Sequence, residues 1–287
     1  GVYNDAGIQM KAGVKLRSTS GDTAACIIDA GTPPLFFSII TMESCGDTTE
    51  ISGITLARGT SLMVSPGNGG AICMEDSSPL ISNVFITECS SSNMGGAIFL
   101  DRSSPTLVDV TMRGNASPMG GGGITCQDGS NPHLENCVFM MNSAASGGNM
   151  ACYGSDPVLV DCALHGGATQ SLGDGLYLTD HSDPHLTNVS FGTMQCNTPG
   201  AHGQCVYMEM SCSPQFTNVS FANSGLGYGE LVYASDGSCS PTFTCCNCFA
   251  TGPNSSKYGG TISDPTGSDG NISMDPLYCD AINWDLS

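Results

Sequence analysis

A glycine-led segment recurs at Gly69, Gly95, Gly121, Gly147 and Gly173, each 26 residues after the last. No other feature limits the fold as much. Chemistry repeated at a fixed period of this length belongs to repeat architectures, in which a unit buries its apolar face only by stacking on the next one. The series continues at Gly203, Gly229 and Gly259 with steps of 30, 26 and 30, so two coils are expected to carry four-residue insertions.

Each unit reads GG-A-I-x-L, then a turn rich in Ser, Asp and Asn, then Pro, then an apolar residue followed by N-V-x-F. Apolar residues alternate at period two, the spacing of a strand with one buried face. The first strand offers Ile72 and Met74, Ile98 and Leu100, Ile124 and Cys126, Met150 and Cys152 to the inside, and places Thr125 and Tyr177 outside. The following strands give columns of like residues, among them Ile81, Leu107, Leu134, Leu159, Leu186, Phe216 and Phe243, and Ile86, Met112, Phe139, Leu164, Phe191 and Phe221. Stacked at about 4.8 Å per coil, such columns form one continuous core. A polar column, Asn83, Asp109, Asn136, Asp161, Asn188 and Asn218, is expected to be an inward ladder at the bend between strands, broken by Cys245. Helices fail because the apolar spacing is not 3, 4 and the Gly and Pro density would break them; a β-sandwich does not account for the fixed period.

The expected architecture is therefore all-β: a single-domain right-handed parallel β-helix of nine or ten coils, about 26 residues each, over residues 1–287. Residues 1–50 read as irregular N-terminal coils or a cap, 51–259 as the regular coils, and 260–287 as a C-terminal coil or cap that is cut short.

The net charge is -19, from 26 acidic against seven basic residues, so nucleic acid and anionic lipid are repelled on average. No apolar run is long enough for direct membrane insertion. The composition favours a secreted, cell-surface or outer-membrane-associated setting. Of the 16 cysteines, Cys126 with Cys152 and Cys137 with Cys162 fall on inward columns of consecutive coils and are expected as free thiols, since stacked side chains point the same way. Cys212 and Cys239 precede Ser-Pro at equivalent turns, and Cys196 and Cys205 bracket a loop with Pro199, His202 and Gly203; these two pairs are the disulfide candidates. Zinc at Cys245, Cys246 and Cys248 is disfavoured because two of them lie on core columns.

The motif GGAI at Gly69–Ile72 and Gly95–Ile98, with FMMN at Phe139–Asn142, resembles the GGAI and FxxN repeats of chlamydial polymorphic outer membrane proteins, although only one FxxN is intact. Gly1-Val2-Tyr3-Asn4, Gly13 to Ser18, and Gly270 to Asp280 are similar to the pectate-lyase-like β-helix superfamily and its secreted right-handed β-helix repeat proteins. The resemblance implies surface display and attachment in the first case. In the second it implies a fold shared by lyases, glycosidases, tailspikes, adhesins and fibres, so function must be argued from sites.

A lyase of that superfamily needs a base and a means to neutralise a uronate carboxylate. Of the seven cationic residues, Arg102 alone follows a core strand amid acids, beside Glu75, Asp76, Asp101 and Asp128. Asp101, Arg102 and Asp128 are thus the catalytic candidates, against the plainer reading of a solvated turn row. Asp76, Asp101 and Asp128 are candidate Ca²⁺ ligands; no cofactor is required. Tyr153, Tyr177, Tyr207 and Tyr233 are expected to align on the outer face of the first strand, as a ladder that binds a ligand or stabilises strands. The five histidines read as surface residues. The sequence favours a non-catalytic extracellular adhesive or structural protein with a glycan or protein surface partner. A carbohydrate-active enzyme and a self-assembling fibre subunit, a homo-oligomer or filament, are the rivals.

Overall fold

The computed structural model describes residues 1–3, 7–31, 37–62, 67–194, 201–222, 228–251 and 254–275. Among these there is no α-helix. The chain winds as a parallel β-solenoid of about nine coils. A ten-stranded parallel sheet collects the first strands of the coils, a 16-stranded sheet collects most of the others, and two short two-stranded pairs, Thr60–Ser61 with Ser90–Ser91 and Ser143–Ser146 with Ala168–Leu172, stand apart from both.

Register follows the sequence columns. Ile72, Ile98, Ile124, Met150, Leu176 and Val206 are successive partners in the first sheet. Ile81, Leu107, Leu134, Leu159, Leu186, Phe216 and Phe243 follow one another in the second. Both columns are buried and belong to one apolar core. Stacking turns aromatic toward the later coils, where the Phe191 and Phe221 rings lie 5.3 Å apart at 13° and Phe216 and Phe243 5.2 Å apart at 20°. Offset ring pairs of this kind add about 0.5–1.5 kcal/mol to the burial of area.

The glycine series needs one correction. Gly69 to Gly229 all have positive φ, the conformation for which glycine is chosen. Gly259 does not belong with them: it pairs with Tyr233, while Gly229 pairs with Ser255. The first strands of these coils are therefore 26 residues apart, as Val232 pairs with Tyr258, and of the two expected insertions only the step of 30 from Leu176 to Val206 remains.

The Asn/Asp column also differs from expectation. It is exposed, not inward, and every member has φ between 50° and 56°. The left-handed bend between the second and third strands turns these side chains to solvent, and Asn and Asp are the non-glycine residues that tolerate it best. The ladder is nevertheless formed: Asn188 Nδ2 donates to Asp161 at 2.8 Å, Asn218 Nδ2 to Asn188 at 2.8 Å, and Asn136 Nδ2 to Asp109.

Two other ladders are internal. In the first, Ser77, Ser103, Ser130, Ser155 and Ser182 are buried just ahead of the coil prolines, each Oγ accepting the N–H of its counterpart one coil earlier at 2.9–3.1 Å. Cys212 and Cys239 continue this column. Both are free thiols, and the sulfurs accept the N–H of Ser182 and Cys212 in turn. Because each sulfur takes the serine position in the ladder, the expected Cys212–Cys239 disulfide is absent. Cys196 lies outside the described residues, so its pairing with buried Cys205 is not described. The second internal ladder uses Asn115 and Asn142: each accepts a backbone N–H of the preceding coil and donates Nδ2 to a core-strand carbonyl. Asn271 repeats the pattern on Cys246 and Phe243.

Cys126, Cys152, Cys137 and Cys162 are buried free thiols. Cys246 and Cys248 are buried, and Cys245 occupies the exposed left-handed column. Within residues 1–50, Ile8–Gln9 and Ile40–Glu43 already belong to the first sheet. Ile272 bridges Asn247, so a further turn starts there; residues 276–287 lie outside the described residues.

Candidate functional site

The outer face of the first sheet carries most of the chemistry. Residues one position beyond the inward pair form a row: Glu43, Glu75, Asp101, Gln127, Tyr153 and Thr179 are in-register neighbours. The next residue of each coil makes the turn, and Ser44, Asp76, Arg102 and Asp128 take positive φ there. Two acidic rows thus run side by side, with a single guanidinium among them.

Arg102 gathers three carboxylates. Its Nε donates to Asp76 Oδ1 at 2.9 Å, Nη1 to Asp101 Oδ1 at 2.7 Å, and Nη2 to Glu75 Oε1 at 2.7 Å. The bond to Asp76 is the leading reason that the guanidinium pKa is raised. Asp101 is the least exposed of the three acids, its side chain 19% accessible. Its carboxyl is held above the usual range, first by burial, then by the charges of Asp128 and Glu75, with Arg102 pulling the other way. The structure brings Asp101 and Arg102 together and leaves Asp128 outside the ion-pair cluster, accepting from Gln127 Nε2 at 3.3 Å.

Of the calcium candidates Asp76, Asp101 and Asp128, the first two are engaged elsewhere. Asp76 and Asp101 are already paired to Arg102, and its positive charge repels a second cation beside them. Among the described residues no group of three or more His, Cys, Asp or Glu is disposed to hold a metal ion.

The tyrosines form a stack further along the same face. Tyr177, Tyr207 and Tyr233 are in-register partners, with rings 5.7 and 5.6 Å apart and nearly parallel. Tyr153 is not in this column: it pairs with Thr179, and its ring meets Tyr177 tilted at 55°, 5.9 Å away. Nor is the face open. Tyr177 and Tyr207 are 9% and 6% exposed, and Thr125 is fully buried, because the segments after the third strands pack against this face. Gly120 O accepts from Thr125 Oγ1 at 2.7 Å, and Leu172 packs on the tyrosines. The hydroxyls of Tyr177 and Tyr207 both donate to Glu209, at 2.6 and 3.2 Å. Burial raises the Tyr177 phenol pKa, and Glu209 adds to it.

His202, which the sequence suggested only as a surface histidine of the Cys196–Cys205 loop, and Glu230, which it did not single out, close the stack. The His202 ring lies 4.3 Å from Tyr233 and its Nδ1 shares a 2.8 Å hydrogen bond with Glu230. Glu230 belongs to a column in which glycine gives way to polar residues. Gly70, Gly96, Gly122 and Gly148 lack room for a Cβ, with backbone oxygens 2.3–2.5 Å from where it would stand. The equivalent residues of the later coils are Asp174, Gln204 and Glu230, as the register shows. The change from GG to GD, GQ and GE was legible in the sequence, yet only the structure shows that these side chains share a wall. His165 departs from the surface reading too: it is buried, bonded to Ser190 Oγ at 3.0 Å, and burial pushes its pKa down to about 4.

The family described as a right-handed β-helix region matches residues 12–191, and the chain belongs to it. No curated protein and no solved structure matches the chain.

Proposed function

We propose that this protein is a non-catalytic, extracellular β-helix that serves as an adhesive or structural surface protein, with a glycan or a protein surface as its partner. The observation that carries this reading is the closure of the Arg102 cluster. Among the described residues the one cationic group on the acidic face is engaged by Glu75, Asp76 and Asp101 at once, which leaves no free cationic base there to take a proton from a uronate. A rigid wall with an acidic row suits recognition better than turnover. Net charge of -19 fits a secreted or cell-surface setting and a neutral or cationic partner.

A second reading, a carbohydrate-active enzyme, is favoured by one feature: the raised pKa of Asp101, which suits a proton donor to a glycosidic oxygen. One experiment separates the two. The purified protein is put on a glycan array and, in parallel, incubated with pectate, alginate and neutral glycans while reducing ends and unsaturated uronates are followed. Binding without turnover supports the adhesive reading. Turnover that Asp101→Asn or Arg102→Ala abolishes overturns it.

A further inference from the structure

The short strand Ala168–Leu172 pairs with Ser143–Ser146 and reaches the tyrosine stack through Leu172. Beside the backbone bond from Gly147 N–H to the Leu172 carbonyl at 3.1 Å, its side-chain tie to the first sheet is Asp174, whose Oδ1 accepts from Thr169 N–H at 2.9 Å and from Thr169 Oγ1 at 2.6 Å. Asp174 is 1% exposed, and its other oxygen, Oδ2, is buried without a hydrogen-bond partner. A neutral carboxyl tolerates such a place far better than a charged one.

Among the described residues no cationic side chain stands against it. Asn149 N–H donates to the Asp174 carbonyl at 3.1 Å, and the Asn149 side chain turns to the carbonyl of His165. The His165 imidazole is held neutral by burial, and the Cys205 thiol is pushed up by burial first, with the Asp174 charge adding to it. His202, whose carbonyl accepts from Gly173, directs its imidazole to Glu230. Between Arg113 and Lys257 the sequence has no lysine or arginine.

We propose that Asp174 is a proton-controlled latch: protonated, it holds Ala168–Leu172 against the tyrosine stack, and ionised, it places a bare charge in the wall, loosens that strand and uncovers Tyr177 and Tyr207. The changeover falls near neutrality, since burial carries the Asp174 pKa up to about 7 against the pull of the Thr169 bonds. The latch goes beyond the adhesive reading and stands without it. Were the tyrosines part of a binding face, that face would open as the pH rises.

Hydrogen exchange on the full chain at pH 6 and pH 8, corrected for the intrinsic pH dependence of exchange, tests the latch without any ligand. In the wild type, protection across Ala168–Leu172 should fall by about tenfold between the two values, as linkage to one carboxyl requires, while the core strand Ile124–Gln127 holds steady. Asp174→Asn should erase the difference. Asp174→Gly is the second variant, because it restores the glycine of the four preceding coils and keeps the test open if the asparagine protein folds poorly. Loss of protection that is the same in all three proteins, or absent in the wild type, overturns the proposal.

Discussion

Single side chains in this solenoid are repeated, so a substitution is felt through the neighbours above and below. Ser130 Oγ accepts the buried N–H of Ser103, and Ser130→Ala leaves that donor without a partner. The expected loss is about 1–3 kcal/mol, read from denaturant unfolding, whereas Ser130→Cys should retain most of the stability, because Cys212 fills the same place in its own coil. The exposed ladder behaves differently. Asn136 stands between Asp109 and Asp161, and Asn136→Asp would set three carboxylates in a row. That should cost roughly 0.5 kcal/mol at low salt and little at high salt, a dependence that buried Ser130 should lack. The two ladders differ in legibility for the same reason. Asn and Asp serve equally well inside or at a left-handed bend, so the column was visible in the sequence but its direction was not. Ser beside Pro reads as an ordinary turn, and only register shows the serines to be buried.

At the scale of strands and the segments between them, the aliphatic columns were readable because inward positions repeat without change of chemistry. The cover on the first sheet was not, because it depends on how the segments around Gly120 and Leu172 fold back, and those vary from coil to coil. Tyr177 and Tyr207, which alternation places outside, are therefore buried, and the tyrosine ladder is a packed element rather than an open platform. Two buried titratable groups belong to these elements, with opposite signs. His165 has a folded pKa lowered from 6.5 to about 4, so the unfolded chain takes up its proton first, and the contribution of His165 is present above pH 6.5 and lost as the pH falls toward 4. By pH 5 this should amount to about 2 kcal/mol, which His165→Gln would remove from the pH dependence of Tm. Asp174, raised from 3.8 to about 7, works in reverse: its folded form holds a proton the unfolded chain has released, so stability falls as the pH climbs from about 4 to 7. Wild-type stability over this range is the balance of the two, and each single variant should expose the slope of the other.

Across the whole molecule, each coil touches only its neighbours, so stability should be distributed as in a one-dimensional array. Phe139 is fully buried between Met112 and Leu164. Phe139→Ala should cost about 3–5 kcal/mol, with amide protection lost most around residues 112–164 and progressively less toward Ile40 and Phe243. A chain with a single globular core would lose protection everywhere at once. All of these expectations rest on one arrangement, in which equivalent side chains of successive coils lie on top of each other. Methyl-resolved NMR on leucine-labelled protein tests that arrangement most directly. The account predicts strong contacts Leu107–Leu134, Leu134–Leu159 and Leu159–Leu186 and no direct contact Leu107–Leu186; methyls of Leu107 and Leu134 that share no contact, or that meet side chains of distant coils, would contradict it.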